Sequence, residues 1–418
     1  MERYSEYKDS GVQWLGMIPG HWKTIRVKSL LSERIDKSDT GTEEPLSMSQ
    51  KYGIIPTKDM DVIPNMASTY VGAKRVFKND LVFNKLKAHL GVFAISKYDG
   101  LVSPDYAVYT PNERTYLPFM EYMFHTPLYI GEFTRKATGV AIGLTRLYTN
   151  GLFAIPFLYP SITEQRAIVS YLDDKCAKID KMLEGKQKQI ELLAEMKQRI
   201  IADAVTRGLD SDVKMKTTNI PWLPEIPEHW DLRKIKYVFE ERSEKNHPNE
   251  PMLSATQTEG VILQSRYKGR VVIVTTGFEG LKLVRVGDFV IHLRSFQGGI
   301  EYAYDQGIIS SAYTVLKPNY PEYSEYYKYL MKCVSFIDLL KTCVTGIREG
   351  QNINYSKLKK NFIPMPPVEE QRSIVSYITE RSSKIDTLTQ KLQQEIESIK
   401  EYKQRLISDV VTGQIKVC

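Results

Sequence analysis

Pro160-Ser-Ile-Thr-Glu-Gln-Arg-Ala-Ile-Val-Ser-Tyr171 recurs as Pro366-Pro-Val-Glu-Glu-Gln-Arg-Ser-Ile-Val-Ser-Tyr377, an offset of 206 residues in a chain of 418. Each copy opens a stretch with a single helical reading. After the first, an alternating +4, +3 series runs Leu172, Cys176, Ile179, Leu183, Lys186, Ile190, Leu193, Lys197, Ile200, Ala204. After the second it runs Ile378, Ser382, Ile385, Thr389, Leu392, Ile396, Ile399, Lys403, Leu406, Val410. A mostly apolar row with a mean spacing of about 3.5 residues, flanked by Glu, Lys and Gln, is the seam of a coiled coil. The pattern predicts helices from 163 to about 207 and from 369 to about 411, each on the order of 65 Å long at about 1.5 Å per residue. Ser161-Ile-Thr-Glu164 has the capping-box pattern, Pro367 stands where the capping serine would be in the second copy, and Gly208 and Gly413 end the two helices. The ordinary alternative is a bundle member inside a globular domain. The polar places in the row (Lys186, Ser382, Thr389 and the Lys197/Lys403 pair) favour a thin seam between two helices that pair with each other.

The duplication extends beyond these helices. All four tryptophans lie in one motif that occurs twice, Gly11-Val-Gln-Trp-Leu-Gly-Met-Ile-Pro-Gly-His-Trp22 and Asn219-Ile-Pro-Trp-Leu-Pro-Glu-Ile-Pro-Glu-His-Trp230, 208 residues apart. Asp80-Leu-Val-Phe83 lines up with Asp288-Phe-Val-Ile291, and Tyr148 with Tyr355, but most positions between differ. One frame is kept twice and its filling has diverged. Residues 20–159 and 228–365 carry short β-like runs punctuated by Gly and Pro, such as Asp288-Phe-Val-Ile-His-Leu-Arg294 with Phe289, Ile291 and Leu293 alternating against Val290, His292 and Arg294. Each also holds one aromatic helix candidate, Tyr116–Tyr122 and Tyr323–Tyr329, whose rings are better suited to a core than to stacking on bases. Residues 209–219 are polar and read as a linker.

The expected fold is therefore α+β. Two α/β modules alternate with two long helices: module 1–159, helix 160–208, linker and module 209–365, helix 366–418. Parallel helices would require a return of about 65 Å from Gly208, whereas an eleven-residue linker spans at most about 40 Å. An antiparallel coiled coil with an internal pseudo-two-fold is the expectation.

Hydrophobic residues make up 42% and charged residues 26%, which suits a soluble globular chain with real cores. No apolar run approaches the roughly 18 residues of a membrane span, and Met1-Glu-Arg-Tyr-Ser-Glu-Tyr-Lys-Asp9 lacks a signal-peptide pattern. Cys176, Cys333, Cys343 and Cys418 have no C-x-x-C spacing and read as thiols of a reducing cytoplasm. The net charge of +7 is compatible with a polyanionic partner without requiring one.

The doubled Glu-Gln-Arg-x-Ile-Val helix entry resembles the specificity subunits of type I restriction-modification systems. So do Asn84-Lys-Leu-Lys-Ala-His-Leu-Gly91 followed by Gly100-Leu-Val-Ser-Pro-Asp-Tyr106, and Gly346-Ile-Arg-Glu-Gly-Gln-Asn352. The resemblance covers the whole chain. It implies two target-recognition domains, each reading half of a split double-stranded DNA site, and helices that space them and dock two methyltransferase subunits. Restriction/translocase subunits join that complex. S-adenosylmethionine, ATP and Mg are then expected in the partner subunits and none in this chain.

The residues themselves offer little catalytic chemistry. No G-x-x-x-x-G-K-[ST] loop occurs, the six histidines show no ligand spacing, and His21 and His229 fit the packed Trp motif. Asn219-Ile-Pro-Trp222 faintly resembles the Asn-Pro-Pro-aromatic motif of adenine methyltransferases, but Ile220 breaks it and a turn before a packed tryptophan is the better reading. A self-sufficient methyltransferase or nuclease is the alternative in the enzyme class, and a coiled-coil scaffold without DNA contact the alternative in the structural class. Arg and Lys read guanine edges and grip phosphates, and Asn and Gln read adenine edges. By residue type and loop context the DNA-binding candidates are Lys85, Lys87, Arg146 and Tyr148 in the first module. In the second they are Arg294, Gln297, Arg348, Gln351 and Asn352. Each could equally be a solvated polar residue, and the Tyr148/Tyr355 match favours a role in the frame.

Overall fold

The computed structural model describes residues 2–62, 69–139, 145–269, 276–345 and 352–417. The chain forms two compact units, one of residues 1–186 with 394–418 and the other of residues 187–393. The two long helices run Ile162–Arg207 and Val368–Val411, so each unit holds a part of both. Every position of the two seams is at least partly covered, while the residues between them along the middle of each helix face solvent. Within the first unit Lys403 donates to Asp180 at 2.5 Å and Lys186 pairs with Glu395. Within the second, Lys197 donates to Asp386 at 2.7 Å. Later residues of one helix meet earlier residues of the other, so the pairing is antiparallel in each unit.

In the first unit a four-stranded antiparallel sheet has the order Leu31–Arg34, Tyr106–Pro111, Leu81–Asn84, Phe93–Ile95. Register is set by burial: Leu81 opposes Tyr109 and Phe83 opposes Ala107, all facing the core with Phe93. Beside it lie the hairpin Leu46–Ser49/Gly53–Pro56 and the pair Lys74–Val76/Gly100–Val102. The helices Leu117–Phe124 and Pro127–Lys136 pack Phe119, Met120, Met123, Phe124, Tyr129 and Phe133 into the same core. Lys23–Arg26 pairs with Pro156–Tyr159, and this pair leads into the first long helix.

The second unit repeats each of these parts. Its four-stranded sheet has the order Phe239–Arg242, Thr314–Pro318, Phe289–Ile291, Glu301–Tyr302. The hairpin is Leu253–Thr256/Gly260–Leu263, the side pair Lys282–Val284/Gly307–Ile309, and the closing pair Asp231–Lys234/Phe362–Met365. The helices Ser324–Leu330 and Val334–Thr342 bury Tyr326, Tyr327 and Phe336, so the aromatic stripe belongs to the core.

The same ion pair is built into both sheets. Arg34 holds Asp80 through Nε at 2.9 Å and Nη2 at 3.0 Å, and Arg242 holds Asp288 at 2.7 and 3.2 Å. Each aspartate also accepts a backbone N–H at 2.8 Å, from Phe77 and from Arg285 respectively. A buried carboxylate tolerates this only when its lone pairs are filled, and here a bidentate guanidinium and a turn amide fill them.

Three local expectations are corrected. Residues 209–219 are not linker throughout, because Met215–Ile220 is a strand paired with Leu223–Pro227; backbone pairing outweighs the polar side chains there. The strand expected over 288–294 ends at Ile291, because His292 and Arg294 enter a hydrogen-bonded turn. The capping box is half made: Ser161 Oγ accepts the Glu164 N–H at 3.2 Å, but the Glu164 carboxylate accepts instead from Trp22 Nε1 at 3.0 Å and Tyr4 at 2.8 Å.

Candidate nucleic-acid interface

In the first unit the strand Leu81–Asn84 ends in a turn that Asn84 makes itself, its Oδ1 accepting the N–H groups of Leu86 at 3.1 Å and Lys87 at 3.3 Å. The turn delivers Lys85, half-buried, and Lys87, exposed, at the mouth of the sheet. Lys85 O accepts the Leu147 N–H at 3.0 Å, which brings Arg146 and Tyr148 beside the lysine turn. Arg146 pairs through its backbone with Thr138 in both directions, at 3.0 and 2.9 Å, and its guanidinium lies 3.4 Å from Asp105. The four first-module candidates therefore converge. Tyr148 is exposed and opens the short helix Thr149–Phe153, whereas its repeat partner Tyr355 is half-buried, its hydroxyl pushed up to about 12 by burial and then by Glu241.

In the second unit Arg294 and Gln297 are exposed on the turn Ser295–Gly298. The turn is pinned by His292 N–H to Ser295 Oγ at 2.9 Å and Arg294 N–H to His292 Nδ1 at 3.2 Å. The pair Val344–Thr345/Asn352–Ile353 packs beside it and carries Asn352, exposed. Arg294, Gln297 and Asn352 are thus gathered at the place that corresponds to the lysine turn. Arg348 and Gln351 lie outside the described residues.

Residues 227–398 match the family described as the type I restriction modification DNA specificity domain. Along the whole length, the chain is similar to the MjaX type I restriction enzyme specificity subunit of Methanocaldococcus jannaschii, at 21% identity over 96% of each protein. Residues 227–398 are thus similar to the DNA specificity domain of type I restriction-modification systems. In fold the chain is similar to a solved structure from work on complex assembly and conformational transition of a type I system, with TM-score 0.66, 16% identity, and 95% and 99% of the two chains covered. It is also similar to the crystal structure of the HsdS subunit of Thermoanaerobacter tengcongensis, with TM-score 0.53, 15% identity, and 95% and 98% covered.

The structure adds a cation that sequence reasoning missed. Lys74 is nearly buried, and burial first, then the charges of Lys85 and Lys37, hold its ammonium below the ordinary lysine range. Glu33, at 3.7 Å, opposes this only in part. Three lysine charges near one carboxylate make a spot that an anion would relieve. The signal was in the repeat: Lys282 stands 208 residues on and meets Glu241, the counterpart of Glu33, at 3.8 Å. Among the described residues no cluster of His, Cys, Asp or Glu could hold a metal, and no helix is long and apolar enough to cross a membrane.

Proposed function

We propose that this chain is a DNA specificity subunit, each unit of which reads one half of a bipartite, asymmetric double-stranded site. The first half would be read through Lys85, Lys87, Arg146 and Tyr148 with Lys74 behind them, and the second through Arg294, Gln297 and Asn352 with Arg348 and Gln351. One observation carries the reading. The frame is the same in both units, down to Arg34–Asp80 and Arg242–Asp288, while the turns at the mouths of the sheets present different side chains. Asn84, Lys85 and Lys87 in the first correspond to His292, Leu293 and Ser295 in the second. Two like frames with unlike tips suit two different half-sites, and a helical spacer suits half-sites about one turn of DNA apart, roughly 34 Å.

In this reading the chain is not itself catalytic. It positions two methyltransferase subunits and the restriction subunits, which supply S-adenosylmethionine, ATP and Mg chemistry, and it works in the cytoplasm. The similarity to a solved chain from an assembled type I system supports the partner assignment. The test is exchange of residues 20–159 for the corresponding module of a relative, with the methyltransferase partners present and genome methylation sequenced. One half of the methylated motif should change and the other stay. Both halves changing together, or methyl transfer by the purified chain alone, would overturn the reading.

A further inference from the structure

The second unit holds a buried carboxylate against a partly exposed lysine, an ion pair that the first unit does without. Glu301 is 0% exposed, and Lys332 Nζ reaches both its oxygens at 2.6 Å. His292 Nε2 lies 3.4 Å from the same carboxylate. At the corresponding places in the first unit stand Ala94, opposite Val82 as Glu301 is opposite Val290, and His125. The frame therefore closes with neither a carboxylate nor a lysine there, and the buried charge of Glu301 is not a requirement of the fold. Buried ion pairs are commonly no more stabilising than apolar residues of similar volume, so a different role is called for.

What Lys332 does beyond pairing identifies that role. Its ammonium also donates to the carbonyl of Gly298 at 3.0 Å and to that of Gln257 at 3.2 Å. Gly298 ends the turn that carries Arg294 and Gln297, and Gln257 begins the loop after the strand Leu253–Thr256. One cation thus ties two exposed loops together, and Glu301 holds that cation in place. The first unit makes the same loop-to-loop tie by another route. Gln50, the counterpart of Gln257, donates its own side-chain N–H to the carbonyl of Leu90, the counterpart of Gly298, at 2.6 Å. Gly299 supports the arrangement from below: its φ is +88°, and a Cβ there would lie 2.3 Å from the Met331 carbonyl and 3.1 Å from Lys332 Cδ. A side chain at that place would push Lys332 off its carbonyls.

We propose that Lys332 and Glu301 are positioning residues that set base discrimination in the second half-site by fixing the Gln257 loop against the Arg294–Gln297 turn, with Gln257 as a further reader. The proposal rests on the assignment of one half-site to each unit. Hydrogen bonds that discriminate bases need donors held in fixed geometry, and a tie through main-chain carbonyls supplies that without touching DNA.

The test is the double variant Glu301→Leu/Lys332→Met in the full chain with its methyltransferase subunits, read by genome methylation sequencing and by thermal unfolding. Removing both charges avoids stranding either one in the core. Exchange of residues 20–159 assigns which half belongs to which unit. The expected result is about a tenfold loss of discrimination among single-base variants of the second half-site, the scale of one bidentate contact, with the first half-site and the unfolding midpoint unchanged. Discrimination preserved in both halves overturns the proposal. So does equal loss in both halves, or a loss that follows a fall in the unfolding midpoint. If the parent complex methylates no two-part motif, the half-site assignment itself has failed, and that is seen before any variant is made.

Discussion

Lys197 donates to both oxygens of Asp386, at 2.7 and 2.8 Å, and the 206-residue repeat turns this pair into Lys403–Asp180, which the structure also makes, at 2.5 Å. The lysine of one copy pairs with the aspartate of the other in both units, which only an antiparallel register of equivalent helices produces. All four side chains remain partly exposed, so each pair is worth little: a double-mutant cycle on Lys197 and Asp386 should give a coupling of about 0.5 kcal/mol. The Lys403/Asp180 cycle should agree with it, and the Lys197/Asp180 cycle should give none. Thermal unfolding of the single and double alanine variants measures all three. Coupling between Lys197 and Asp180 would contradict the register.

The two helix ends predict unequal costs for the same substitution. Gly208 and Gly413 both have φ near the left-handed region, +79° and +75°. Alanine at either place costs about 1–2 kcal/mol for the backbone alone. At Gly413 the added methyl would also lie 2.5 Å from Pro19 Cδ and 3.2 Å from Trp22, ring atoms with nowhere to go. At Gly208 the nearest atom is a Glu370 carboxylate oxygen at 3.0 Å, the end of a movable side chain. Gly413→Ala should therefore destabilise by roughly 1 kcal/mol more than Gly208→Ala. Chemical denaturation of the two variants decides it, and equal midpoints would refute the contact argument.

Glu121 predicts a pH effect. Its carboxyl is raised above the ordinary carboxylate range, first by burial and against the Ile95 N–H and the charges of His125 and Lys97. An acid whose pKa is higher folded than unfolded binds more protons in the native state, so its contribution to stability falls as pH rises through the carboxylate range and above. Glu121→Gln keeps an acceptor for Ile95 N–H, which now reaches Glu121 Oε1 at 3.1 Å, and removes the buried charge. The variant should unfold at a higher temperature than the parent at pH 8, and the gap should close as pH falls toward 4. A gap that widens on acidification would reverse the sign and refute the assignment.

The long helices were legible because every seam position depends only on neighbours three or four residues away. The tryptophan motif was legible because it is printed twice. Glu164 was misread because its partners, Trp22 and Tyr4, are more than 140 residues distant, and a local capping pattern explains the same letters. Arg294 was placed on a strand because alternation continues through Leu293, and only the Ser295 and His292 side chains, folded back on the chain, break it. Nothing local marks Glu301 and Lys332, 31 residues apart, because only the folded sheet buries one and aims the other at two carbonyls. The base-reading candidates were chosen by residue type; the structure gathers Lys85, Lys87, Arg146 and Tyr148 because Leu147 pairs with Lys85, a contact made 62 residues apart along the chain.

Under the proposed reading, the gap between half-sites should follow helix length. The covered seam repeats every seven residues, so inserting a whole heptad keeps the same face toward the partner helix. Seven residues add about 10.5 Å of helix. One insertion alone would leave the two helices unequal, so a matched pair is needed, after Lys188 and after Gln394. At about 3.4 Å per base pair this corresponds to roughly three base pairs of added gap. Three base pairs also turn the second half-site by about 100°, since a turn takes about 10–10.5 base pairs. Twisting or bending the DNA costs energy, which favours the smaller part of that lengthening. The double insertion, sequenced for genome methylation with its methyltransferase partners present, should prefer a gap about one to three base pairs longer, with both half-site sequences unchanged, because the tips of the two units are untouched. An active variant with the parent's gap would show that these helices do not set the spacing.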